Sequence, residues 1–81
     1  MRVNLLYFAS FREASGRSEE ARELPEGAHV GDLWRDLARE LPPLRRLASM
    51  PPAAVNRELA NPMTVLKDGD EVTFLPPVAG G

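Results

Sequence analysis

One stretch of this chain has the apolar spacing of a helix of several turns, and this limits the folds that the chain can adopt. In residues 30–41 apolar side chains recur every three or four positions, at Val30, Leu33, Leu37 and Leu41. The start of this helix is weakly marked, because His29 stands where Ser, Thr or Asp would cap best. Its end is sharp, since Pro42 and Pro43 cannot continue a helix. The remaining segments have to supply the sheet against which this one main helix packs.

Segments rich in strand-forming residues lie on both sides of the predicted helix. We predict strands at residues 1–8, 19–24, 53–56 and 71–75, a brief return strand that opens at Leu59, and a helical turn at 9–15. Asp68-Gly69 is a strong tight-turn signal just before the last strand. The first and last strands can then lie side by side at the centre of a mixed, mostly antiparallel sheet. This is an α+β layout of the β-grasp (ubiquitin-like) kind, which we predict for residues 1–75, with an extended tail at 76–81.

The composition excludes most side-chain catalysis and metal binding. The chain has 81 residues, which make one domain with little room for an enclosed active site. It contains no Cys and a single His, which rules out disulfides, thiolate ligands, a Cys nucleophile and a His-based metal site. The sequence has no P-loop, dinucleotide-binding glycine pattern or nucleophile elbow. We therefore expect no metal site, no permanently bound cofactor and no enzyme activity of the chain on its own.

The charge balance and the hydropathy limit the partners in a similar way. Lys and Arg number 10 against 12 Asp and Glu, a formal net charge of −2 without a run of one sign. The basic surface that nucleic-acid binding needs is therefore missing. No apolar stretch approaches the roughly 18 residues of a membrane span, and no signal-peptide pattern precedes the first strand. We expect a cytoplasmic protein that binds neither nucleic acid nor membranes.

The last six residues, which directly follow the closing strand, are the strongest candidate for a working group. Pro76 and Pro77 fix φ and cannot donate to a sheet, so they end strand pairing and favour an extended arm. Gly80 and Gly81 have no Cβ, so they can pass through a channel too narrow for a side chain. Six extended residues reach about 20 Å. The pattern indicates a terminal carboxyl group that is offered to another protein, although many chain ends are frayed and have no function.

Strand alternation indicates a second feature, at the root of this tail. If the odd-numbered residues of the first strand face the helix, Phe8 lies on the outer face of the sheet. On the closing strand Leu75 falls on the same outer face, and Leu59 in the return strand can join them. One aromatic and two leucines beside a tail favour a partner-docking patch. The alternative is that the loop after Ser49 covers these side chains.

Other chemically interesting side chains have ordinary structural explanations. His29 is expected at a helix end or on the surface, and Trp34 flanks the apolar stripe of the helix, where packing accounts for it. The charged residues at 12–13, 45–46 and 68–70 are expected to be solvated charge and turn chemistry. Their spacing singles out none of them as a site.

Four short motifs of the chain occur together in a known protein family. They are residues 11–16 (FREASG), 53–56 (AAVN), 67–72 (KDGDEV) with the following Phe74, and 76–81 (PPVAGG). On these motifs the chain resembles the small, sulfur-carrying subunits of molybdopterin synthase (MoaD) over nearly its whole length. The turn at 67–72 and the Gly-Gly end are shared with other ubiquitin-like sulfur carriers. The Pro-Pro-Val run and the chain length favour the molybdopterin branch.

The resemblance implies that the chain carries sulfur on its C terminus. In this family an E1-like adenylating enzyme uses ATP and Mg²⁺ to convert the terminal glycine carboxylate to an acyl adenylate. Sulfur from a persulfide relay, supplied by a sulfurtransferase, then replaces AMP and leaves a thiocarboxylate. The tail inserts into the large subunit of molybdopterin synthase, where the sulfur passes to cyclic pyranopterin monophosphate. The family assembly is a two-plus-two heterotetramer.

The resemblance also assigns roles to residues by their position in this sequence. It makes Gly81 the residue that is adenylated and thiolated. It makes Phe8, Leu59 and Leu75 the hydrophobic contact with the large subunit, in agreement with the alternation argument above. The residues expected along the insertion path are Pro76, Pro77, Val78, Ala79 and Gly80.

Two kinds of alternative stay open at this point. The same tail chemistry could serve thiazole, cysteine or tRNA sulfur insertion, or could attach the chain to lysines as a ubiquitin-like modifier. Carriers for thiazole tend to be shorter, and the Pro-Pro-Val run argues against that branch. The other alternative is a β-grasp adaptor domain whose terminal diglycine is incidental.

Overall fold

Five strands and three helical segments make up the part of the chain that the computed structural model describes, residues 1–47 and 49–75. The strands are β1 (Arg2–Leu6), β2 (Glu19–Glu23), β3 (Ala53–Val55), β4 (Glu58–Ala60) and β5 (Glu71–Phe74). The helices are α1 (Ala9–Ser15), α2 (Val30–Glu40) and a 3₁₀ helix (Pro42–Arg46). Each predicted strand and helix is present. None of these three helices is long and apolar enough to cross a membrane.

The strands form one sheet in the order β2-β1-β5-β3-β4. β1 and β5 are parallel neighbours at its centre, and every other pair in this sheet is antiparallel. The β3–β4 hairpin turns through Asn56 and Arg57, whose φ angles of 52° and 69° are both left-handed. Two-residue hairpin turns favour such angles, because they match the twist of the paired strands. The predicted β-grasp sheet is therefore confirmed, with the first and last strands side by side at its centre.

The alternation predicted for the two central strands is confirmed by the burial of their side chains. On β1, Val3 and Leu5 are buried, and Tyr7 just beyond the strand is buried as well. On β5, Val72 and Phe74 are buried in the same core. Successive side chains of a strand point to opposite faces. The residues between these positions therefore lie on the outer face of the sheet.

Helix α2 covers the inner face of the sheet with the apolar stripe that its sequence predicts. Its buried side chains are Val30, Leu33 and Leu37. Trp34 lies beside this stripe, and its ring centroid is 5.9 Å from that of Phe11 and 5.1 Å from that of Phe74. Tilted aromatic pairs at such distances are favourable packing contacts. The structure therefore places Trp34 in the packing between α1, α2 and β5.

The start of α2 is held by one local partner and by the loop after β4. The Asp32 carboxylate accepts a hydrogen bond from the backbone N–H of His29 at 2.8 Å, which lowers the pKa of Asp32. Val30 N–H donates to Thr64 O at 2.9 Å, and Gly31 N–H donates to Pro62 O at 2.9 Å. A Cβ on Gly31 would lie 3.1 Å from Pro62 O, so the close approach favours glycine there. The loop after β4 thus compensates for the weak capping residue.

A polar network closes the β2 edge of the core. Glu20 of β2 accepts a hydrogen bond from the Tyr7 hydroxyl at 2.7 Å, and burial together with this bond raises the pKa of Tyr7. Arg22, two residues along the strand, donates to both carboxylate oxygens of Glu40, at 2.8 and 2.5 Å. These hydrogen bonds lower the pKa of Glu40. The network joins β1, β2 and the end of α2 where the apolar core stops.

Candidate partner-docking surface

The root of the predicted tail lies at the end of the central strand β5. Leu75 follows β5, and its N–H donates to Pro52 O at 2.8 Å, which continues the pairing with the β3 side. The residues predicted for sulfur loading and tail insertion, 76–81, lie outside the described residues. The structure therefore describes the scaffold up to the residue from which the tail starts.

One row of side chains crosses the outer face of the sheet near this root. Thr73 of β5 pairs with Leu6 of β1 on one side and with Ala54 of β3 on the other. Ala54 in turn pairs with Leu59 of β4. Residues directly opposite each other in a sheet point to the same face. Leu6, Thr73, Ala54 and Leu59 therefore form a continuous row on the outer face.

The next row toward the tail contains the other two predicted docking residues. Leu75 is two residues beyond Thr73, and Phe8 is two residues beyond Leu6, so both fall on the outer face. Phe8 keeps an extended backbone, with φ −125° and ψ 154°, so the alternation of β1 continues through it. Pro52 lies opposite Leu75 as the hydrogen bond between them requires.

We use the name outer patch for Phe8, Leu59 and Leu75. These side chains are 49%, 84% and 40% exposed, in that order. Leu59 lies two strand spacings, about 10 Å, from the column of β5. Ala54 lies between Leu59 and β5, and because its side chain is small, no large side chain divides the patch. The loop that includes Ser49 leaves all three side chains accessible to a partner.

The register also shows members of this face that sequence reasoning missed. Ala54 and Pro52 fill the space between the predicted residues, but neither is large enough to attract notice in the sequence.

Met63 and Val65 are two exposed apolar residues outside the sheet that were not predicted. They lie in the loop after β4 and are 73% and 50% exposed. The signal for these two was available, since apolar residues in a loop beside Pro62 have no strand or helix to bury them.

The opposite end of β5 is fastened by the turn at residues 67–70. Asp68 Oδ1 accepts a hydrogen bond from the backbone N–H of Arg2 at 2.7 Å. Asp70 accepts two, from the backbone N–H of Lys67 at 2.8 Å and from Asn56 Nδ2 at 2.9 Å. These carboxylates hold the turn to β1 and to the β3–β4 hairpin. The expectation that they belong to turn chemistry is confirmed.

His29 and Arg45 also take part in local structure. His29 Nδ1 lies 3.2 Å from Asp32 Oδ2 at the start of α2. Arg45 donates to the backbone oxygens of Ala38 and Arg39, and so caps the end of that helix. Within residues 1–47 and 49–75, no group of three His, Cys, Asp or Glu side chains is arranged to hold a metal ion.

Comparison with known proteins identifies the family of the chain. The sequence model of the ThiS family matches residues 5–81. A molybdopterin synthase sulfur carrier subunit from Mycobacterium tuberculosis is 44% identical over 82 residues, which cover 100% of this chain and 99% of that protein. Another from Chlamydomonas reinhardtii is 40% identical over 83 residues, which cover 100% of both. A protein named small archaeal modifier protein 3, from Haloferax volcanii, is 37% identical over 92 residues and 100% of both chains.

Solved structures have the same fold. The crystal structure of SAMP1 from Haloferax volcanii has a TM-score of 0.84 at 26% identity and covers 100% of both chains. A chain from a complex of subunits 1 and 2 of molybdopterin-converting factor from Helicobacter pylori has a TM-score of 0.67 at 28% identity, again over 100% of both. The chain therefore belongs to the ThiS family, among the molybdopterin synthase sulfur carrier subunits that its sequence resembles.

Proposed function

We propose that this chain is the sulfur carrier of a molybdopterin synthase and that Gly81 is its reactive residue. The observation that carries the proposal is the position of the terminal Gly-Gly, one short arm beyond a central strand whose end bears the outer patch. The chain supplies no catalysis of its own. Its terminal carbonyl carbon is the group on which other enzymes act.

The chemistry requires that the Gly81 carboxylate first be activated. A carboxylate is a poor electrophile, so an E1-like adenylating enzyme joins it to the α-phosphate of ATP, with Mg²⁺ and with release of pyrophosphate. A persulfide from a sulfurtransferase then attacks the carbonyl carbon of the acyl adenylate, and AMP leaves. A second thiol then attacks the sulfurtransferase sulfur of the resulting acyl disulfide, which forms a new disulfide, breaks the old S–S bond and releases a C-terminal thiocarboxylate. Its sulfur passes to cyclic pyranopterin monophosphate inside the synthase.

The sequence of the tail suits delivery into a narrow site. Pro76 and Pro77 restrict the backbone before binding, which reduces the conformational entropy lost on insertion. Val78 and Ala79 can contact the walls of an apolar channel, since neither side chain is polar. Gly80 has no side chain, so the backbone next to the reacting carbonyl can approach catalytic groups closely. Each of these assignments is made by position in the sequence.

The outer patch is the surface that we assign to the large subunit of the synthase. Phe8, Leu59 and Leu75 share the outer face and are 49%, 84% and 40% exposed. Fully burying such a side chain contributes up to about 1.5–3 kcal/mol. The solved complex of subunits 1 and 2 of molybdopterin-converting factor supports a partner of this kind, because one of its chains has the fold described here. A two-plus-two heterotetramer is the assembly that we propose.

Intact-mass spectrometry tests the proposed function directly. The chain is incubated with an adenylating enzyme, ATP, Mg²⁺ and a sulfurtransferase loaded with sulfur. We expect a gain of about 16 Da on the C-terminal peptide, since sulfur replaces one oxygen. The control reaction without ATP should give no gain. An unmodified terminus in the presence of active partner enzymes would contradict the proposal and favour an adaptor domain.

A second function, conjugation of the chain to protein amines, uses the same activated glycine. The 37% identity to a protein named small archaeal modifier protein 3 favours it as a candidate. The two functions differ in the nucleophile that takes the acyl group, sulfur in one and an amine in the other. Reactions with and without a sulfur donor therefore separate them.

A further inference from the structure

The two edge strands of the sheet differ in the side chains that they present. β2 has glutamates at positions 19, 20 and 23. Charged side chains on an edge strand oppose the addition of a further strand. β4 has a single glutamate, Glu58, and its central residue is Leu59, which is 84% exposed. Of the two edges, the β4 edge is therefore the one suited to accept a strand from a partner.

The pairing of β3 with β5 fixes the direction of the Leu59 backbone. The N–H of Leu75 donates to Pro52 O at 2.8 Å. In an antiparallel pair such hydrogen bonds recur at every second residue, so Ala54, two residues after Pro52, exchanges its bonds with Thr73 of β5. The backbone groups of Ala54 thus point toward β5. They leave none for Leu59, its partner on β4.

The N–H and C=O groups of Leu59 therefore point away from β3, to the open edge of the sheet. Glu58 and Ala60, on either side, use their groups for the pairing with β3. Within residues 1–47 and 49–75, neither backbone group of Leu59 has a hydrogen-bond partner. One residue with an outward donor and an outward acceptor can exchange both bonds with one residue of an added antiparallel strand.

A cavity of about 280 Å³ opens beside this edge. Its lining includes Leu59 and Ala60 of β4 and Val65 of the following loop, which is 50% exposed. Side chains alternate along a strand, so Ala60 points to the face opposite to that of Leu59. An added strand would alternate in the same way. Its residue opposite Leu59 would join the outer patch, and an apolar neighbour of that residue could cover Val65.

We propose that the large subunit of the synthase adds an extended segment to the open edge of β4, paired antiparallel with Leu59. The inference rests on the proposed function, because its occupant is the partner that we assign to the outer patch. Leu59 belongs to both surfaces, by its side chain to the outer patch and by its backbone to the open edge. A partner that covers the outer patch therefore reaches the edge without a separate docking site.

The dimensions of β4 favour this occupant over a second copy of the chain. β4 has three residues, about 10 Å of strand. Pairing of two such edges buries far less than the roughly 1,200 Å² of a stable interface. An edge that adjoins the outer patch instead enlarges an interface that other contacts already stabilise.

The test compares the variants Leu59→Pro and Leu59→Ala by calorimetry with the purified large subunit. Both variants lose the leucine side chain, but only proline also lacks the N–H, and its ring lies where the donor was. The bonds from β4 to β3 are retained, since Glu58 and Ala60 make them. We expect a Kd about 3-fold to 10-fold higher for Leu59→Pro than for Leu59→Ala. Equal Kd values would show that the partner uses the side chain alone and would overturn the inference.

Hydrogen exchange in the unsubstituted chain decides the question if Leu59→Pro does not fold. The Leu59 amide should exchange rapidly in the free chain and at least about 10-fold more slowly in the complex. The amide of Glu58, which is paired with β3, is the control and should be protected in both states. A Leu59 amide that exchanges equally fast in the complex would overturn the inference.

A matched pair of loop variants tests the cavity. Val65→Lys places a charge in the lining of the cavity and should raise the Kd for the large subunit about 10-fold. Met63→Lys places the same charge in the same loop, at a residue that does not line this cavity, and should leave the Kd unchanged. Equal Kd values for these two variants would contradict the proposed path of the added strand.

These outcomes separate the inference from the proposed function. If the unsubstituted chain gains sulfur and binds the large subunit while Leu59→Pro and Leu59→Ala bind equally well, the strand pairing is wrong and the sulfur carriage stands. If the unsubstituted chain gains no sulfur in the intact-mass assay, the proposed function has failed and the inference fails with it.

Discussion

At one end of β5 the chain is fastened by polar groups, and at the other end it presents apolar side chains to solvent. The turn at 67–70 is fastened to β1 and to the β3–β4 hairpin by the carboxylates of Asp68 and Asp70. At the opposite end, Leu75 and Phe8 are exposed although both are large and apolar. The two ends are joined by the same four-residue strand, Glu71–Phe74.

This difference separates the residues that stabilise the fold from those that we assign to function. Hydrogen-bonded carboxylates at a turn contribute to stability whether or not a partner is present. The exposed part of an apolar side chain adds nothing to the isolated fold and gains free energy only when a partner covers it. Substitutions in the turn at 67–70 should therefore change stability. Substitutions at the tail end of β5 should instead change binding or chemistry.

Deletion of Gly81 is expected to have the largest effect. It removes the proposed reactive carboxyl from its place at the end of the tail, so sulfur loading should fall below detection in the intact-mass assay. Among the described residues the core cluster extends to Phe74, and the sequence predicts that the tail lies outside it, so we expect the fold to be complete without Gly81. We expect a change in Tm of less than about 2 °C, equivalent to under roughly 0.5 kcal/mol. A large fall in Tm would mean that the tail belongs to the scaffold.

The variant Leu75→Lys tests the exposed end. Placing a charge in an apolar interface costs on the order of 1.5–3 kcal/mol, which corresponds to a Kd for the large subunit that is about 10-fold to 100-fold higher. The change in Tm should be small, because at this partly exposed position the stem of the lysine can lie on the sheet while its ammonium stays in solvent. Calorimetry with the purified large subunit measures the Kd.

Met63→Lys provides the matched control for this variant. Met63 is 73% exposed and apolar, but it lies in the loop after β4 and outside the outer patch. Its substitution should leave the Kd unchanged. Equal losses of affinity for both variants would indicate a general effect of charge, and the outer patch would then lose its special role.

The variant Asp70→Ala tests the fastened end. It removes the acceptor of two hydrogen bonds, from Lys67 N–H and from Asn56 Nδ2. We expect a loss of about 1–2 kcal/mol in the free energy of unfolding, measured by urea denaturation, with unchanged affinity for the large subunit. Asp36→Ala is the control, since this carboxylate has only a 3.9 Å surface contact with Arg39 and should change stability by less than about 0.5 kcal/mol.

The sequence predicts much of this division because strand alternation is a local property. Val3 and Leu5 could be assigned to the core, and Phe8 to the outer face, from a period of two alone. The stripe of α2 follows in the same way from a period of three to four. In both cases the residues that decide the outcome are neighbours in sequence.

The parts that escaped prediction depend on contacts between distant residues. The first turn of α2 approaches Pro62 closely, and the missing Cβ of Gly31 makes room for this residue, which lies far along the chain. Ala54 acquires a place on the outer face only through its pairing with Thr73 and Leu59. No local pattern specifies such partners, because register is fixed by the whole sheet.

The variant Glu40→Gln should have the smallest effect on the free energy of unfolding. The way this effect changes with pH tests whether the ionised carboxylate stabilises the fold. Hydrogen bonds from Arg22 lower the pKa of Glu40 in the folded protein below its usual value of 4.5, so the folded state favours the ionised carboxylate. The stabilisation is therefore present above pH 4.5 and is lost as the pH falls through the lowered pKa. Because the Glu40 side chain is 53% exposed, solvent screening limits the contribution to roughly 0.2–1 kcal/mol.

Urea denaturation at several pH values checks this expectation for Glu40→Gln. The wild-type chain should be slightly more stable than the variant near pH 7, and the difference should shrink below pH 4.5 as the carboxylate is protonated. If the difference in the free energy of unfolding grew as the pH fell, the expectation would be contradicted. The Arg22–Glu40 pair would then not be a stabilising contact. Affinity for the large subunit should not respond to this substitution, because the pair lies on the helix side of the sheet, away from the outer patch.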